Sequence, residues 1–337
     1  MTARISSPSL GAASYQDKGT WTASLSHRWQ FSDRHFVGDS EQEYRQKENS
    51  QVENNIHLID IGVGYAVTKR FSVALSIPFQ FATREQAIRD PRLPRNEFGN
   101  RPVIDRYQTS ADGLGDMRLL GTFWLFDPDN NKRQNISLGL GVLFPTGEKD
   151  HKDVFKVFDT NSAGAYSPRA DVRNVDNSIQ PGAGAWGVIF DSYLFAEVVT
   201  NFTLYASGTY IAVPATDAGV ISGNLQTSTE VWSTGDSYLF RLGAGYMFLP
   251  KAGLSFSLGA RLEGTPPEDL FGSDDGRRRP GYAVSIEPGV VFQRKSWVVA
   301  FSAPVALYRN RQADATGDEG DAAFADFMTL FSVGYSW

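Results

Sequence analysis

Alternation of apolar and polar positions is the strongest pattern in this chain, and it is clearest in residues 71–81. One face of this segment carries Phe, Val, Leu, Ile, Phe and Phe, and the other carries Ser, Ala, Ser, Pro and Gln. Successive side chains of a strand point to opposite faces, so a period of two predicts a half-apolar β-strand. Residues 326–337 repeat the pattern, with an aromatic face, a face of small residues and a final Trp337.

Twelve segments of the chain are predicted to be strands, because they alternate in this way or are apolar runs bounded by turn-forming residues. They are residues 21–29, 56–67, 71–81, 114–126, 136–144, 184–195, 202–213, 238–249, 254–263, 282–292, 297–308 and 326–337. Each is close to the ~9–11 residues that a tilted strand needs to cross a bilayer.

The connections between these strands alternate strictly between short turns and long polar loops. Short periplasmic turns, longer extracellular loops and an even strand number are typical of outer-membrane barrels. The pattern therefore predicts an all-β protein, a single antiparallel up-and-down transmembrane β-barrel of about twelve strands over residues 20–337. Residues 1–19 are expected to form a periplasmic N-terminal segment. A soluble sandwich or propeller also has short strands, but neither predicts this alternation.

Composition agrees with a barrel and excludes several other classes of protein. Aromatic residues make up 13%, and there are 32 glycines and no cysteine, which excludes disulfides and thiolate metal sites. Mean hydropathy is −0.30, and no apolar stretch reaches the ~20 residues of a transmembrane helix. The net charge of −6 gives no basic footprint for nucleic acid. No signal peptide is visible at the start, so we expect the numbering to cover a mature outer-membrane form.

The alternation also assigns side chains to the lumen or to lipid, if Tyr335 and Trp337 face lipid. An Arg on the lipid face near the midplane would cost about 2–4 kcal/mol, so charges within strands are placed in the lumen. The predicted lumen charges are Arg28, Asp60, Asp116, Arg118, Asp191, Arg241, Arg261, Glu263 and Glu287. The predicted membrane-interface aromatics are Trp21, Trp29, Trp297, Tyr335 and Trp337. His27 and His57 break the assignment, and we expect both near strand ends.

The mixed charges of the lumen have two compatible interpretations. One is a network of Arg–carboxylate pairs that braces the wall. The other is a polar constriction on a solute path, with Arg241, Arg261, Glu263 and Glu287 as its most compact cluster. Inner-face neighbours are largely Gly, Ala and Ser, which leaves volume in the lumen. The long loop 145–180 is a candidate plug for that volume.

No catalytic or cofactor motif is found in the chain. The four histidines lack a nucleophile at a useful spacing, so the prediction is a protein that is not an enzyme and carries no cofactor. The acidic loop with Asp314, Asp318, Glu319 and Asp321 is a weak Ca²⁺ candidate, because it lacks EF-hand spacing, and a solvated loop is favoured. The run Arg277-Arg278-Arg279 is interpreted as solvated, with lipopolysaccharide phosphates or an anionic solute as the alternative partner.

Several segments resemble a known family. The segments GLGDMRL (113–119), LGLGVLFPTGEKD (138–150) and the aromatic terminal strand are similar to outer-membrane transporters labelled "MetA-pathway of phenol degradation". Residues 261–289 and the segment PVALYRN (304–310) look like parts of uncharacterised members of similar type. The resemblance implies a barrel in the outer membrane and passage of small, aromatic or hydrophobic molecules. It transfers no binding residue.

The sequence therefore predicts a bacterial outer-membrane channel for passive uptake of small molecules. A plugged barrel that binds a protein partner through its loops is one alternative, and a lipid-modifying outer-membrane enzyme is another. The expected partners are outer-membrane lipid and lipopolysaccharide, the barrel-assembly machinery through residues 326–337, and a small-molecule solute.

Overall fold

The structure, a computed structural model, describes residues 15–156, 171–215, 218–220, 231–272, 276–315, 317 and 320–337. Within these ranges the chain is almost entirely β-structure, with one short helix, α1 (Tyr44–Lys47). No described helix is long and apolar enough to cross a membrane. The strands in chain order are β1 (Trp21–Val37), β2 (Ser40–Glu41), β3 (Glu53–Ala66), β4 (Phe71–Arg89), β5 (Val103–Leu114), β6 (Arg118–Trp124), β7 (Gln134–Leu143), β8 (Lys152–Phe155), β9 (Asp171–Asn174), β10 (Gly187–Val199), β11 (Phe202–Ala212), β12 (Ser237–Leu249), β13 (Leu254–Thr265), β14 (Gly281–Arg294), β15 (Trp297–Ser302), β16 (Val305–Arg311) and β17 (Ala322–Ser336).

Fifteen of these strands form one antiparallel sheet that closes into a barrel. The wall has twelve positions, because β5 and β6 follow each other along one side of β4, and β15 and β16 share the place between β14 and β17. Strand β2 is a short addition to β1, and β8 and β9 form a separate two-stranded sheet. The predicted all-β, twelve-stranded antiparallel barrel is confirmed.

The barrel closes where the sequence placed the closure, between its first and last strands. Strand β17 runs antiparallel to β1 from the pair Thr22–Ser336 to the pair Phe36–Ala322. Backbone hydrogen bonds of 3.0 Å join Trp21 and Trp337 in both directions. The start of β1 and the end of β17 therefore lie at the same rim as the short turns. In an outer-membrane barrel this is the periplasmic rim.

Several strands are longer at the opposite, extracellular rim than the sequence predicted. Strand β4 continues to Arg89, and β5 occupies much of the predicted loop 82–113. The outward positions Thr83 and Glu85 in this extension are polar. Beyond the membrane both faces of a strand contact water, so hydrophobic alternation disappears although the pairing continues. The alternation therefore reports the membrane-crossing part of each strand and misses its extension.

A band of exposed apolar side chains covers the outside of the barrel. Leu140, Leu242 and Leu307 are 63%, 66% and 68% exposed on three different strands. Exposed apolar surface of this extent marks contact with lipid rather than water. The predicted interface aromatics lie on this surface: Trp297 contacts Tyr335 at 4.7 Å between ring centroids, and Trp29 contacts Phe327 at 5.5 Å. Their role at the membrane interface stays a prediction.

Candidate functional site

Five of the predicted lumen charges meet in one buried network, which we call the lumen cluster: Arg28, Arg241, Arg261, Glu263 and Glu287. Glu263 Oε2 lies 2.7 Å from Arg261 Nη2 and 3.6 Å from Arg28 Nη2. Glu287 Oε2 lies 3.0 Å from Arg241 Nε and 3.7 Å from Arg261 Nη1. None of the five side chains is more than 7% exposed. The cluster ties β12, β13 and β14 to β1 across the lumen.

The other four predicted lumen charges lie outside this cluster. Arg118 Nη2 is 2.6 Å from Asp60 Oδ2, and Ser76 Oγ also donates to the Asp60 carboxylate. Asp191 accepts a 2.7 Å hydrogen bond from Thr209 Oγ1. Asp116 accepts backbone hydrogen bonds from Gly147 and Ala183 at 3.0 and 2.6 Å. These contacts support bracing of the wall for most of the set, and their pore-lining role stays a proposal.

The two glycine-rich motifs that carried the family resemblance meet at the extracellular half of the lumen. Thr146 Oγ1 donates to the carbonyl of Gly115 at 2.8 Å and accepts from the Met117 amide at 2.9 Å. A Cβ at Gly147 would lie 2.6 Å from the Cα of Gly182, so only glycine allows this approach of the two backbones. The motifs therefore hold the end of the long loop against the barrel wall.

Residues 175–183, here called the inner segment, lie inside the barrel. The side chains of Val175 and Ile179 are fully buried against Ala82 and Ala111 of the wall. Gln80 Nε2 donates to the carbonyl oxygens of residues 179 and 180 at 2.7 and 3.1 Å. The candidate plug predicted from loop 145–180 thus enters the lumen with its final part, and residues 157–170 of that loop lie outside the described ranges.

Asp176 is the electrostatic anchor of the inner segment. Arg279 contacts both of its carboxylate oxygens, at 2.8 and 2.9 Å, and Arg84 Nη2 lies at 3.5 Å. Burial by itself would raise the pKa of Asp176, but the guanidinium groups of Arg279 and Arg84 outweigh it and hold that pKa well below its usual range. The carboxylate of Asp176 therefore joins the inner segment to β4 of the wall and to the loop before β14.

A cavity of about 410 Å³ lies between the inner segment and the lumen cluster. Part of its wall is apolar, formed by Leu143, Ile211 and Val213. Among the described residues its charged lining is mostly cationic, and the acids of that part are Asp116 and Asp321. The cations that line it are Arg28, Arg45, Arg84, Arg118, Lys149, Arg277, Arg278 and Arg279. The sequence analysis predicted small inner neighbours but did not predict the apolar wall, and it placed only Arg28 and Arg118 of these eight cations in the lumen.

Arg84 could have been predicted from the alternation of β4. Gln80 faces the lumen, and Arg84 lies two inward positions further along the same strand. Lys149 and Asp176 carry no comparable signal, since they lie in a loop without periodicity. Lys149 Nζ donates to the carbonyl of Ala218 and has no carboxylate partner among the described contacts.

The interpretation of the arginine run as solvated is wrong for two of its three members. Arg278 is 1% exposed, pairs with Asp269 at 2.9 Å and donates to Ser233 Oγ at 2.8 Å. Arg279 binds Asp176 and stacks on Trp232 at 5.4 Å. A buried carboxylate for each guanidinium explains why these two cations can leave water.

The weak Ca²⁺ candidate finds no support in the described residues. Asp321 binds His35 and Arg45 at 2.8 and 2.6 Å, so its carboxylate is already paired. Asp318 and Glu319 lie outside the described residues. Within the described ranges no group of three or more His, Asp or Glu side chains is arranged to hold a metal ion.

His27 and His57 contact each other on the outer face. His27 Nε2 lies 3.1 Å from His57 Nδ1, and the two rings are stacked. The expectation that both lie near strand ends is wrong, because His27 is the seventh residue of a strand of 17. The pairing of one imidazole with the other lowers the cost of keeping these polar groups among apolar neighbours.

His35 joins the start of β17 to the loop after β1, above the membrane-crossing part of the barrel. Its Nδ1 bonds Asp321 at 2.8 Å, and its Nε2 accepts the Val52 amide hydrogen at 2.8 Å, which requires the neutral imidazole. Burial lowers the pKa of His35 from its ordinary value, although the hydrogen bond to Asp321 opposes this.

Acidification is therefore expected to loosen this junction. When a pKa is lower in the closed state, the opened state binds the proton first, so the closed state loses stability as pH falls below the ordinary value of about 6.5. Amide hydrogen exchange at Val52, corrected for the intrinsic rate, should accelerate from about pH 7.5 to about pH 5.5. His35→Gln should abolish the pH dependence and His151→Gln should retain it. Equal protection at both pH values would contradict the assignment.

The barrel fold is shared with a solved outer membrane channel, and weaker similarity extends to other barrels. Among solved structures, an outer membrane channel from Pseudomonas putida F1 has a TM-score of 0.63 at 12% identity, over 97% of this chain and 98% of that chain. A FadL homologue of Pseudomonas aeruginosa has a TM-score of 0.41 at 10% identity, over 95% and 90% of the two chains. The CymD monoaromatic hydrocarbon channel has a TM-score of 0.39 at 11% identity, over 96% and 89%. A search of curated proteins gives no match.

The sequence profile of a family described as "Putative MetA-pathway of phenol degradation" matches residues 4–90. That range covers β1, β3 and β4 and lies N-terminal to the glycine-rich motifs. The resemblance predicted from those motifs is thereby confirmed by an independent part of the chain. Over residues 4–90 the chain matches the family of the MetA pathway of phenol degradation, and it has the fold of an outer-membrane channel.

Proposed function

We propose that this chain is a passive outer-membrane channel for small molecules with an apolar or aromatic body. The observation that carries the proposal is the cavity of about 410 Å³ inside a closed, lipid-facing barrel. An apolar cavity of about 150 Å³ accepts benzene, so this space is large enough for a single-ring solute. The names of the family and of the monoaromatic hydrocarbon channel support the same class of solute.

The lining of the cavity favours solutes that carry a polar or anionic group on an apolar body. Leu143, Ile211 and Val213 offer apolar contact, whereas the cationic side chains opposite attract negative charge. Carboxylates that line or lie behind the wall, such as Asp60 and Asp176, neutralise part of this charge. Lys149 has no such partner among the described contacts, and its side chain lines the cavity.

This lining predicts a channel that prefers anions to cations. A planar bilayer containing the purified protein is held between unequal KCl concentrations. Its reversal potential should be displaced from zero towards the equilibrium potential of chloride. Lys149→Gln should shift that potential towards zero, because it removes a lining charge without leaving a buried carboxylate unpaired. Lys132→Gln, which changes an exposed lysine at a periplasmic turn, is the matched control and should leave it unchanged. A cation preference would contradict the charge assignment, and a barrel that passes no solute would refute the channel.

A plugged barrel that binds a partner through its loops is the second candidate. The inner segment favours it, because Ile179 and Asp176 fix that segment inside the lumen. Copurification of a stoichiometric protein together with absent conductance would select this alternative.

A lipid-modifying enzyme has less support. Among the described residues, the hydrogen-bond partners of the four imidazole rings are Asp321, Val52, Glu148 and, for His27 and His57, each other. A hydrolase of the Ser–His type needs a hydroxyl nucleophile within reach of its base, and none of these partners carries one. We therefore propose a protein that is not an enzyme.

The remaining partners are proposals of the same kind. The aromatic strand β17, with Phe331, Tyr335 and the terminal Trp337, is the segment we propose for recognition by the barrel-assembly machinery. The exposed apolar band is proposed to contact outer-membrane lipid, and the extracellular rim is proposed to contact lipopolysaccharide. The N-terminal segment is proposed to be periplasmic, which is supported by the bond from the Gly19 amide to Ala66 beside a short turn.

A further inference from the structure

The periplasmic end of the lumen contains three aromatic side chains that touch one another: Trp124, Tyr193 and Phe195, here called the aromatic cluster. Trp124 lies 6.5 Å from Tyr193 and 6.0 Å from Phe195 between ring centroids, both in edge-on geometry. They meet because Ser137 of β7 pairs with Trp124 on one side and with Tyr193 on the other, and Phe195 follows on the same face of β10. Edge-on contacts of this kind leave ring faces available for a further ring.

A phenol group of the chain itself fills that position. The ring of Tyr15 lies 5.0 Å from Trp124, nearly perpendicular to it, and 6.1 Å from Phe195. Its hydroxyl accepts a 2.9 Å hydrogen bond from Asn135 Nδ2 and donates to the carbonyl oxygen of Asn131. The site therefore recognises both parts of a phenol, with aromatic contacts for the ring and one donor and one acceptor for the hydroxyl.

Tyr15 reaches this site from the other side of the mouth. The neighbouring Gln16 Nε2 contacts Ser336 Oγ of β17 at 3.4 Å, and β17 is separated from β7 by β1, β3, β4 and β6. The backbone is fixed to the wall at Gly19, whose amide donates to Ala66 at 2.8 Å. Gly19 has a φ of +89° and no neighbour around its Cβ position, so it allows a change of chain direction beside the tether.

The wall between β17 and the aromatic cluster, formed by β1, β3 and β4, carries small side chains. Ser24 of β1 and Ala74 of β4 face the lumen there and are exposed, and on β3 Gly62 pairs with Ser24 and Gly64 with Ala74. Displacement of Tyr15 therefore meets no bulky side chain on that wall. The ring needs to move only as far as its tether of four residues allows.

We propose that the aromatic cluster, with Asn131 and Asn135, is a binding site for single-ring phenols at the periplasmic exit, and that Tyr15 is a tethered internal ligand of that site. This rests on the proposed channel function and adds to it a place and a chemical class of solute. A phenol leaving the cavity binds where Tyr15 was, and the return of Tyr15 displaces it towards the periplasm. A site occupied by an internal ligand binds an external one more weakly, in proportion to the fraction of time it is free.

The test is phenol binding to the full-length protein in detergent micelles, followed by saturation-transfer NMR titration. If Tyr15 fills the site for about nine-tenths of the time, Tyr15→Ala should raise the affinity for phenol about tenfold. Tyr15→Phe keeps the ring but loses both hydroxyl contacts, and should give a smaller increase. Toluene, which has no hydroxyl, should bind Tyr15→Ala more weakly than phenol does.

Second substitutions in the Tyr15→Ala background locate the effect. Trp124→Leu or Phe195→Leu should remove the gain, whereas Trp186→Leu, at an exposed tryptophan beside Phe144, should keep it. Heat-modifiable migration on a denaturing gel confirms that each variant is folded. Equal phenol affinity in the wild type and Tyr15→Ala, or a gain that persists without Trp124 and Phe195, overturns the proposal. Solute flux of the wild type in liposomes tests the channel function separately. Flux without a change in phenol affinity in Tyr15→Ala refutes only the site. Phenol binding in micelles without flux in liposomes refutes only the channel.

Discussion

Glu263→Gln is expected to lower the free energy of unfolding of the barrel by about 3–5 kcal/mol, because it removes one partner of a buried ion pair. The Glu263 carboxylate is 2% exposed and contacts Arg261 and Arg28. Without it the lumen cluster would hold three guanidinium groups around the single carboxylate of Glu287. Arg261 would then share Glu287 with Arg241, and its side chain has no exposed surface.

Urea titration of the protein in detergent micelles, followed by tryptophan fluorescence, measures this loss. Asp129→Asn is the control, since its pair with Lys69 lies at an exposed turn with both side chains in water and should change stability little. Similar midpoints for Glu263→Gln and Asp129→Asn would show that water in the lumen already screens the cluster.

Asp176→Asn is expected to release the inner segment and open the extracellular half of the lumen. The substitution keeps the shape of the side chain but removes the charge that Arg279 and Arg84 share. Loss of one partner of a buried pair costs about 3–5 kcal/mol, and each 1.4 kcal/mol is a factor of about ten, so the open population should rise at least about a hundredfold. Single-channel recording in planar bilayers should show a matching rise in open probability.

Asp171→Asn is the matched control for this change. Asp171 pairs with Arg173 within β9, before the inner segment begins, and its loss should leave gating unchanged. The pKa of Asp176 is held well below its ordinary value of about 3.9, so its contribution is present above that pH and is lost only as pH falls below it. Open probability of the wild type should therefore not respond to this group in mildly acidic solution. Unchanged gating in Asp176→Asn would show that apolar contacts of Val175 and Ile179 hold the segment by themselves.

The membrane-crossing barrel was predictable because lipid acts on every strand in the same way. Each strand must present an apolar face to hydrocarbon, so alternation marks the twelve strands and places charges such as Arg261, Glu263 and Glu287 on the inner face. Three of the strands that carry the lumen cluster are neighbours in the sheet, so assigning their charges to the inner face was enough to group Arg241, Arg261, Glu263 and Glu287. Arg28 joins them from β1, across the lumen, and the alternation says nothing about contacts across a barrel.

The loops and the N-terminal segment follow no such repeated rule. Asp176 finds Arg279 at a separation of 103 residues, and Tyr15 finds Asn135 at 120. Which residues become partners depends on which segments the closed wall brings close together at each rim. That in turn depends on strand order, stagger and the depth to which a loop enters the lumen. Sequence periodicity therefore determined that this chain is a lipid-facing barrel with a charged interior. Only the tertiary structure decided which segments enter that interior, because packing inside a closed barrel is settled by contacts between distant residues.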